Sequence, residues 1–326
     1  MTTKMRLTPK IIELGEADYQ HFIDQLPDAS AIIPDISKLN DRALTQSAHK
    51  LASEIFSTEI DLVKSELSDA KAGIVAVDIP ESRTLSVDDN AFWGVALATG
   101  FGSNVFSLAH DKINGTPFTI YAASYEKSRE LTEFGLPTVA PETKLGFHTD
   151  GVIHGDTVSM PCNIMLYNVL IEYYRPGCFH WVPFHSWDEK KTFMERVGVG
   201  KRYSVKLAPS IYDLGEGKLE IVSPDTVDVP IFADDEKNEF PLYINGSVVG
   251  SSDNESFDPE IFAALKQSIA DSRVRYSVPQ RSRRIIFARN VAGAHARDIF
   301  EEPIPGVPYT RIFLRSVDVD AVSLAC

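Results

Sequence analysis

Cysteine is scarce in this chain. Its 326 residues include three, Cys162, Cys178 and Cys326. That is too few, and too scattered, for a disulfide framework, and the expected setting is a reducing cytoplasm. No C-x-x-C pair occurs, which argues against a zinc–thiolate site. Long apolar runs are missing too. Nothing approaches the ~18 residues that a membrane-spanning helix requires. The first ten residues carry Lys4, Arg6 and Lys10 but no apolar segment, so no signal peptide is expected. Basic residues are outnumbered, 32 Lys and Arg against 46 Asp and Glu, for a net charge of -14. A chain of that sign repels phosphate backbones, so nucleic acid is not an expected partner. No internal repeat or low-complexity tract is visible.

What the chain does have is material for a core. Hydrophobic residues make up 44% of it, ample for one large domain. Residues 16–26 show helical spacing at Tyr19, Phe22 and Ile23, and a proline-containing loop is expected over 27–36. The longest helix is expected over 41–70. There Leu44, Ala48, Leu51 and Ile55, then Ile60, Val63 and Leu67, step along one face. Residues 88–98 read as another helix, with Gly100-Phe101-Gly102-Ser103-Asn104 as its C-cap and turn. Strand signals start at 73–79 and dominate after residue 115, over 118–123, 159–174, 285–288 and 311–317. Residues 243–249 read as a hairpin turning on Asn245-Gly246. Asp258-Pro259-Glu260 opens a helix to about residue 272. The run Arg281-Ser282-Arg283-Arg284 reads as a solvated face paired with acids. Helices early and strands late predict a mainly β, α+β chain, a double-stranded β-helix (jelly roll) with helical additions. Residues 1–326 are taken as a single domain, with 1–72 a helical addition packed on the β core.

The chemistry concentrates in Leu145-Gly146-Phe147-His148-Thr149-Asp150-Gly151. On an extended strand, residues i and i+2 share a face, so His148 and Asp150 can converge on one cation. The plain alternative is a surface turn, because Asp150-Gly151 is itself a turn signal. Far downstream, His295 lies in Asn290-Val291-Ala292-Gly293-Ala294-His295-Ala296-Arg297. Two imidazoles and one carboxylate make the facial triad of non-haem Fe(II) oxygenases, which leaves coordination positions open. His154, His180 and His185 are rival ligands, more simply read as packing or pocket residues. Arg311 and Arg315 share one face of an apolar strand, where an unpaired guanidinium is costly and calls for an anion. The residues alone leave open which of the two receives it.

The order His148-x-Asp150, His295-x-Arg297, then Arg311-Ile312-Phe313-Leu314-Arg315 resembles the Fe(II)/2-oxoglutarate-dependent oxygenases. Within them it is most similar to the clavaminate synthase and taurine dioxygenase group. Residues 73–80 and 96–102 resemble an early strand and a following helix end of these enzymes, so the likeness spans roughly residues 70–320 of the chain. The resemblance implies the jelly-roll fold and a hydroxylase. His148, Asp150 and His295 would hold Fe(II), with 2-oxoglutarate and O2 as co-substrates. Arg311 would receive the distal carboxylate of 2-oxoglutarate, and Arg297 would lie near a co-substrate or substrate carboxylate. The presence of Asp150 points to hydroxylation over halogenation. The implied substrate is a small carboxylate-bearing metabolite, a free amino acid or a derivative. A sulfonate is the alternative within the group, and a cupin-like metal protein without oxygenase activity the alternative outside it. Where related enzymes carry a Thr or Ser against 2-oxoglutarate, this chain reads Arg175-Pro176-Gly177-Cys178-Phe179-His180.

Overall fold

The apolar runs of the second half pair into two main sheets, and the helices of the first half cover one of them. The computed structural model describes residues 5–26, 42–110, 115–124, 140–154, 157–206, 210–213, 219–222, 226–233, 241–252 and 257–324. The expected loop over 27–36 lies outside these residues. The chain opens with β1 (Met5–Leu7), β2 (Lys10–Glu13) and α1 (Glu16–Gln25). Next come α2 (Arg42–Ile55), α3 (Ser57–Ser68), β3 (Ile74–Asp78) and α4 (Val87–Val105). Then follow β4 (Thr119–Ala123), β5 (Leu145–His148), β6 (Ile164–Ile171) and β7 (Cys178–Pro183). The later elements are α5 (Lys190–Val197), α6 (Pro259–Ala270), β8 (Val274–Pro279), β9 (Arg284–Ala288), β10 (Gly293–Arg297) and β11 (Arg311–Val317). Shorter strands such as Arg202–Lys206 and Val227–Pro230 form smaller sheets beside these.

One main sheet has the order β1-β8-β7-β10-β5, the other β2-β3-β9-β6-β11-β4. Only the β1–β8 and β2–β3 pairings among these are parallel. Side-chain alternation then sorts every strand into two faces. Val75 and Val77 of β3, Ile285 and Phe287 of β9, and Leu314 of β11 pack into a cluster with α1 to α4. Their neighbours Ile74, Ala76, Ile286, Ala288 and Val317 face the other way. There they meet Phe179 and Trp181 of β7 and Val278 of β8. The two main sheets are thus packed face to face, with a helical layer outside the six-stranded one. The outer face of the five-stranded sheet, at Val182 and Ala294, packs with α5, α6 and the smaller sheet. This is an α+β arrangement of mixed sheets.

Four expectations change. The long helix over 41–70 is two helices, broken at the buried Phe56. Its apolar stripe changes phase there, stepping by five from Ile55 to Ile60, and the Phe56 ring packs against Phe22 and Phe101. The glycines at 100 and 102 do not end a helix. They lie inside α4, capped by the Ser86 side chain, which accepts from Asp89 N–H. A Cβ on Gly100 would collide with the Ala48 carbonyl of α2, and one on Gly102 with Met165. The two glycines let α4 lie tightly against α2 and β6. Residues 243–249 are not a hairpin: Ser247–Ser251 pairs with Arg202–Lys206, while Tyr243 N–H donates to the Ile231 carbonyl. Finally, the 281–284 run is solvated only at Arg281, which is exposed and pairs with Asp78. Arg284 makes a buried bidentate pair with Asp78, and Arg283, at φ 64°, donates to the carbonyls of Ile79, Pro80 and Asn90.

The α2–α4 contact makes a direct test possible. Gly100→Ala should cost about 1–3 kcal/mol of stability, because backbone cannot move aside for the added methyl. Urea unfolding midpoints of the two proteins measure this, and an unchanged midpoint would show that the helices can separate without cost.

Candidate metal centre

β5 and β10 run antiparallel, and their register sets His148 directly opposite His295. The two ring centroids are 4.1 Å apart. Phe179 of β7 lies nearly flat against His295, at 5.5 Å and 17°. Each histidine is therefore placed by backbone pairing before any metal is considered.

Asp150 is placed differently. β5 ends at His148, so the i, i+2 geometry of a strand does not by itself carry the carboxylate into position. The fully buried Asn290 does so. Asp150 N–H donates to Asn290 Oδ1 at 2.8 Å, and Asn290 Nδ2 donates to Asp150 O at 2.9 Å and to Pro161 O at 3.0 Å. Thr149 adds a second anchor, its Oγ1 accepting from Ile244 N–H at 3.0 Å. Gly151 follows because a Cβ there would run into Tyr243 and Val158. The Asp150-Gly151 turn is therefore interior, and Asp150 is 8% exposed.

The ligand atoms converge. His148 Nε2 and His295 Nε2 each lie 3.8 Å from Asp150 Oδ1. One ligand atom from each residue falls within 4.8 Å of the others. His148 Nδ1 is 2.9 Å from the Gly146 carbonyl, which can only accept, so that nitrogen carries the proton and Nε2 keeps its lone pair. Arg315 Nε donates to Asp150 Oδ2 at 2.9 Å. That bond engages one carboxylate oxygen and leaves the other facing both imidazoles. Two imidazole nitrogens and a carboxylate oxygen, without thiolate, suit Fe(II).

The electrostatics favour the ligand forms. Burial pushes His295 down to about 3, with His148 beside it acting in the same direction. Burial lowers His148 as well. Burial alone would raise the Asp150 carboxyl, but Arg315, His295 and His148 together hold it well below the usual carboxylate range. Neutral imidazoles and an ionised carboxylate are the forms that bind metal.

The two arginines named for carboxylate contacts part ways. Arg297 donates to the backbone carbonyls of Pro141, Ala140 and Thr143, at 2.6, 3.1 and 3.0 Å. These bonds brace the segment leading into β5, and the Glu142 and Asp298 carboxylates also act on the Arg297 charge. Arg311 is buried, with its guanidinium carbon 4.0 Å from the Phe313 ring centroid. Of the rival histidines, His180 is held between Ser277 Oγ and Asp298 Oδ1, both at 2.9 Å, and His185 is exposed. The side chain of His154 lies outside the described residues. A cavity of about 770 Å³ exists elsewhere, bordered by Glu13, Glu81 and Asp78. Asp78 is already bound to Arg284, and no triad residue borders that space.

Sequence reasoning missed Asn290 and the Arg315–Asp150 bond. Asn290 did carry a signal, as an amide directly before the apolar segment that bears His295. Arg315→Leu should weaken Mn(II) or Fe(II) binding by about 10–100-fold, the usual effect of losing a partner that orients a ligand. Calorimetric titration under argon measures it, and wild-type affinity in the variant would show that Asp150 is oriented without Arg315.

No family model matches the chain, and no curated protein matches it. Solved structures do. The chain is similar to the non-heme iron oxygenase OrfP in complex with Fe and alpha-ketoglutaric acid, with a TM-score of 0.63 at 12% identity. That likeness covers 96% of this chain and 94% of that one. It is also similar to asparagine oxygenase in complex with Fe(II), 2S,3S-3-hydroxyasparagine and succinate, with a TM-score of 0.59 at 14% identity. There the coverage is 94% of this chain and 93% of the other. OrfP in complex with Fe, succinate and (3S)-hydroxy-L-Arg matches with a TM-score of 0.61 at 12% identity, over 95% of this chain and 93% of that one. Across nearly its whole length, the chain has the fold of these non-heme iron oxygenases.

Proposed function

We propose that this chain is an Fe(II)/2-oxoglutarate-dependent oxygenase that hydroxylates a C–H bond of a small carboxylate-bearing metabolite, a free amino acid or a derivative. The observation that carries the reading is the convergence of His148, Asp150 and His295 on one point, in surroundings that favour neutral imidazoles and an ionised carboxylate. The fold likeness supports it, since the similar structures hold iron with alpha-ketoglutaric acid, succinate or hydroxylated amino acids. In this reading the two facing sheets are the double-stranded β-helix, residues 1–326 are one oxygenase domain, and residues 1–72 are an addition to its β core.

The residues divide the work. His148 and His295 offer Nε2, and Asp150 offers Oδ1. Asn290 and Thr149 hold the Asp150 backbone, while Arg315 turns its carboxylate. Arg311 receives the distal carboxylate of 2-oxoglutarate, because a buried guanidinium with no carboxylate partner among the described residues requires an anion. With Arg297 engaged by carbonyls, Arg315 is the cation beside the ligand set that a substrate carboxylate would meet. Bound Fe(II), with 2-oxoglutarate and O2, supplies the oxidising power for hydroxylation, 2-oxoglutarate leaving as succinate and CO2.

Succinate release from 2-oxoglutarate tests the reading. The Fe(II)-loaded protein should release succinate above its uncoupled background when offered one member of a panel of free amino acids. Asp150→Ala should abolish that release. Stimulation by aliphatic sulfonates alone would move the substrate to the sulfonate class. Tight Zn(II) or Mn(II) binding, with no 2-oxoglutarate consumption under any condition, would make the chain a cupin-like metal protein instead.

A further inference from the structure

Arg311 is unusual among the buried arginines. It stands on β11 and points between the two main sheets, 6% exposed. Its guanidinium lies against the Phe300 ring at 4.8 Å, and Arg297 lies against the same ring at 5.3 Å. Two cations therefore share one aromatic surface. The nearby carboxylate, Glu142, accepts from Tyr173 OH and acts on Arg297. The partners of Arg311 are neutral: Nη2 donates to Asn168 Oδ1 at 3.3 Å and to Gln280 Oε1 at 3.4 Å. Both contacts are long for a charged donor.

The orientation of the two amides follows from that contact. Flipping either one would set an NH2 group against a guanidinium N–H, donor against donor. With the oxygens turned to Arg311, the nitrogens face elsewhere. Asn168 Nδ2, Gln280 Nε2 and Arg311 Nε are all buried, and none has an acceptor among the described residues. Asn168 is 1% exposed and Gln280 4%. Native interiors rarely leave one such donor unmet, and three around a single charge form a consistent set. Asn168 comes from β6 of the six-stranded sheet, and Gln280 follows β8 of the facing sheet. The set is thus assembled from both walls of the sandwich.

We infer that Asn168 and Gln280 complete an anion site with Arg311, donating their amide N–H groups to the distal carboxylate of 2-oxoglutarate. A carboxylate brings one negative charge and two oxygens with four lone pairs, which suits one guanidinium and two amide donors. This rests on Arg311 as the dicarboxylate site, and it adds to that site one residue of β6 and one that directly follows β8.

Equilibrium binding to the Mn(II)-loaded protein under argon tests it without turnover. The probes are 2-oxoglutarate and 2-oxopentanoate, which has the same chain length but no distal carboxylate. Asn168→Leu and Gln280→Leu should each weaken 2-oxoglutarate about tenfold or more, as expected for a lost bond to a charged group, and leave 2-oxopentanoate unchanged. Asn168→Asp keeps the shape and supplies an internal carboxylate to Arg311. It should abolish the preference for 2-oxoglutarate and raise the thermal midpoint of the ligand-free protein. Should both leucine variants and Asn168→Asp bind 2-oxoglutarate as wild type does, while Arg311→Leu loses it, the amides only solvate Arg311 and the inference fails alone. If Arg311→Leu also binds normally, the dicarboxylate site lies elsewhere and both readings fall.

Discussion

Asp150 and Arg315 come from different sheets. The carboxylate follows β5 of the five-stranded sheet, and the guanidinium stands on β11 of the six-stranded one. Burial opposes the ionised form of this carboxyl, and Arg315 is the largest of the neighbours that favour it, ahead of His295 and His148. The contact therefore favours a negative charge on Asp150 and fixes which of its oxygens faces the imidazoles. It forms only if the sheets are the right distance apart, and that distance is set by Phe179, Trp181, Ile164 and Ile286 packed between them. Apolar packing between the sheets, which includes the Phe179 ring against His295, is in this sense part of the centre. A buried pair of this kind is weak evidence of stability, because desolvating both charges offsets much of their attraction. Its value here is to fix a charge state and an orientation.

The backbone around the ligands follows the same logic of over-determination. Cross-strand register alone brings His148 opposite His295. The Asp150 main chain, lacking a strand partner, is held by the Asn290 amide, which both donates and accepts as a neighbouring strand would. A rigid frame of this type is what keeps three ligand atoms together before a cation neutralises their mutual crowding.

How much of this could be read from residues alone depends on the range of the interaction involved. β11 was legible to the residue, because the apolar, β-prone run over 311–317 is a local pattern with no competing signal. The cap of α6 was equally local: Asp258 accepts from Glu260 N–H just ahead of the helix, with Pro259 in its first position. The break at Phe56 was written in the step of five from Ile55 to Ile60, but a phase change looks like noise until the Phe22 and Phe101 rings are known to meet there. Gly100 and Gly102 have the composition of a helix end, and only the α2 and β6 atoms against them explain their place inside α4. The Asn290 clamp and the Arg315 bond join residues 140 and 165 positions apart. No window along the chain contains both partners, so only the ligand types themselves could be read, and their support could not.

A chain with a net charge of -14 that keeps Arg284, Arg297 and Arg311 almost out of water, and Arg315 partly so, invites comparison among the four. Arg284 has a bidentate carboxylate in Asp78. Arg315, the least enclosed of them, has the Asp150 carboxylate. Arg297 has carbonyl oxygens from the 140–143 segment, whose dipoles together stand in for an anion. Arg311 alone has two long bonds to neutral amides, and its positive charge is further disfavoured by burial and by Arg297. The other three show that this fold can meet a buried guanidinium fully when the interaction is structural. An acidic residue in place of Asn168 would have met Arg311 in the same way, and the chain has an abundance of acids elsewhere. The exception is then best understood as a charge left for a partner that arrives from outside. Arg311 lies between the same two sheets that bring His148, Asp150 and His295 together, so one molecule between the sheets could reach both the guanidinium and the proposed metal.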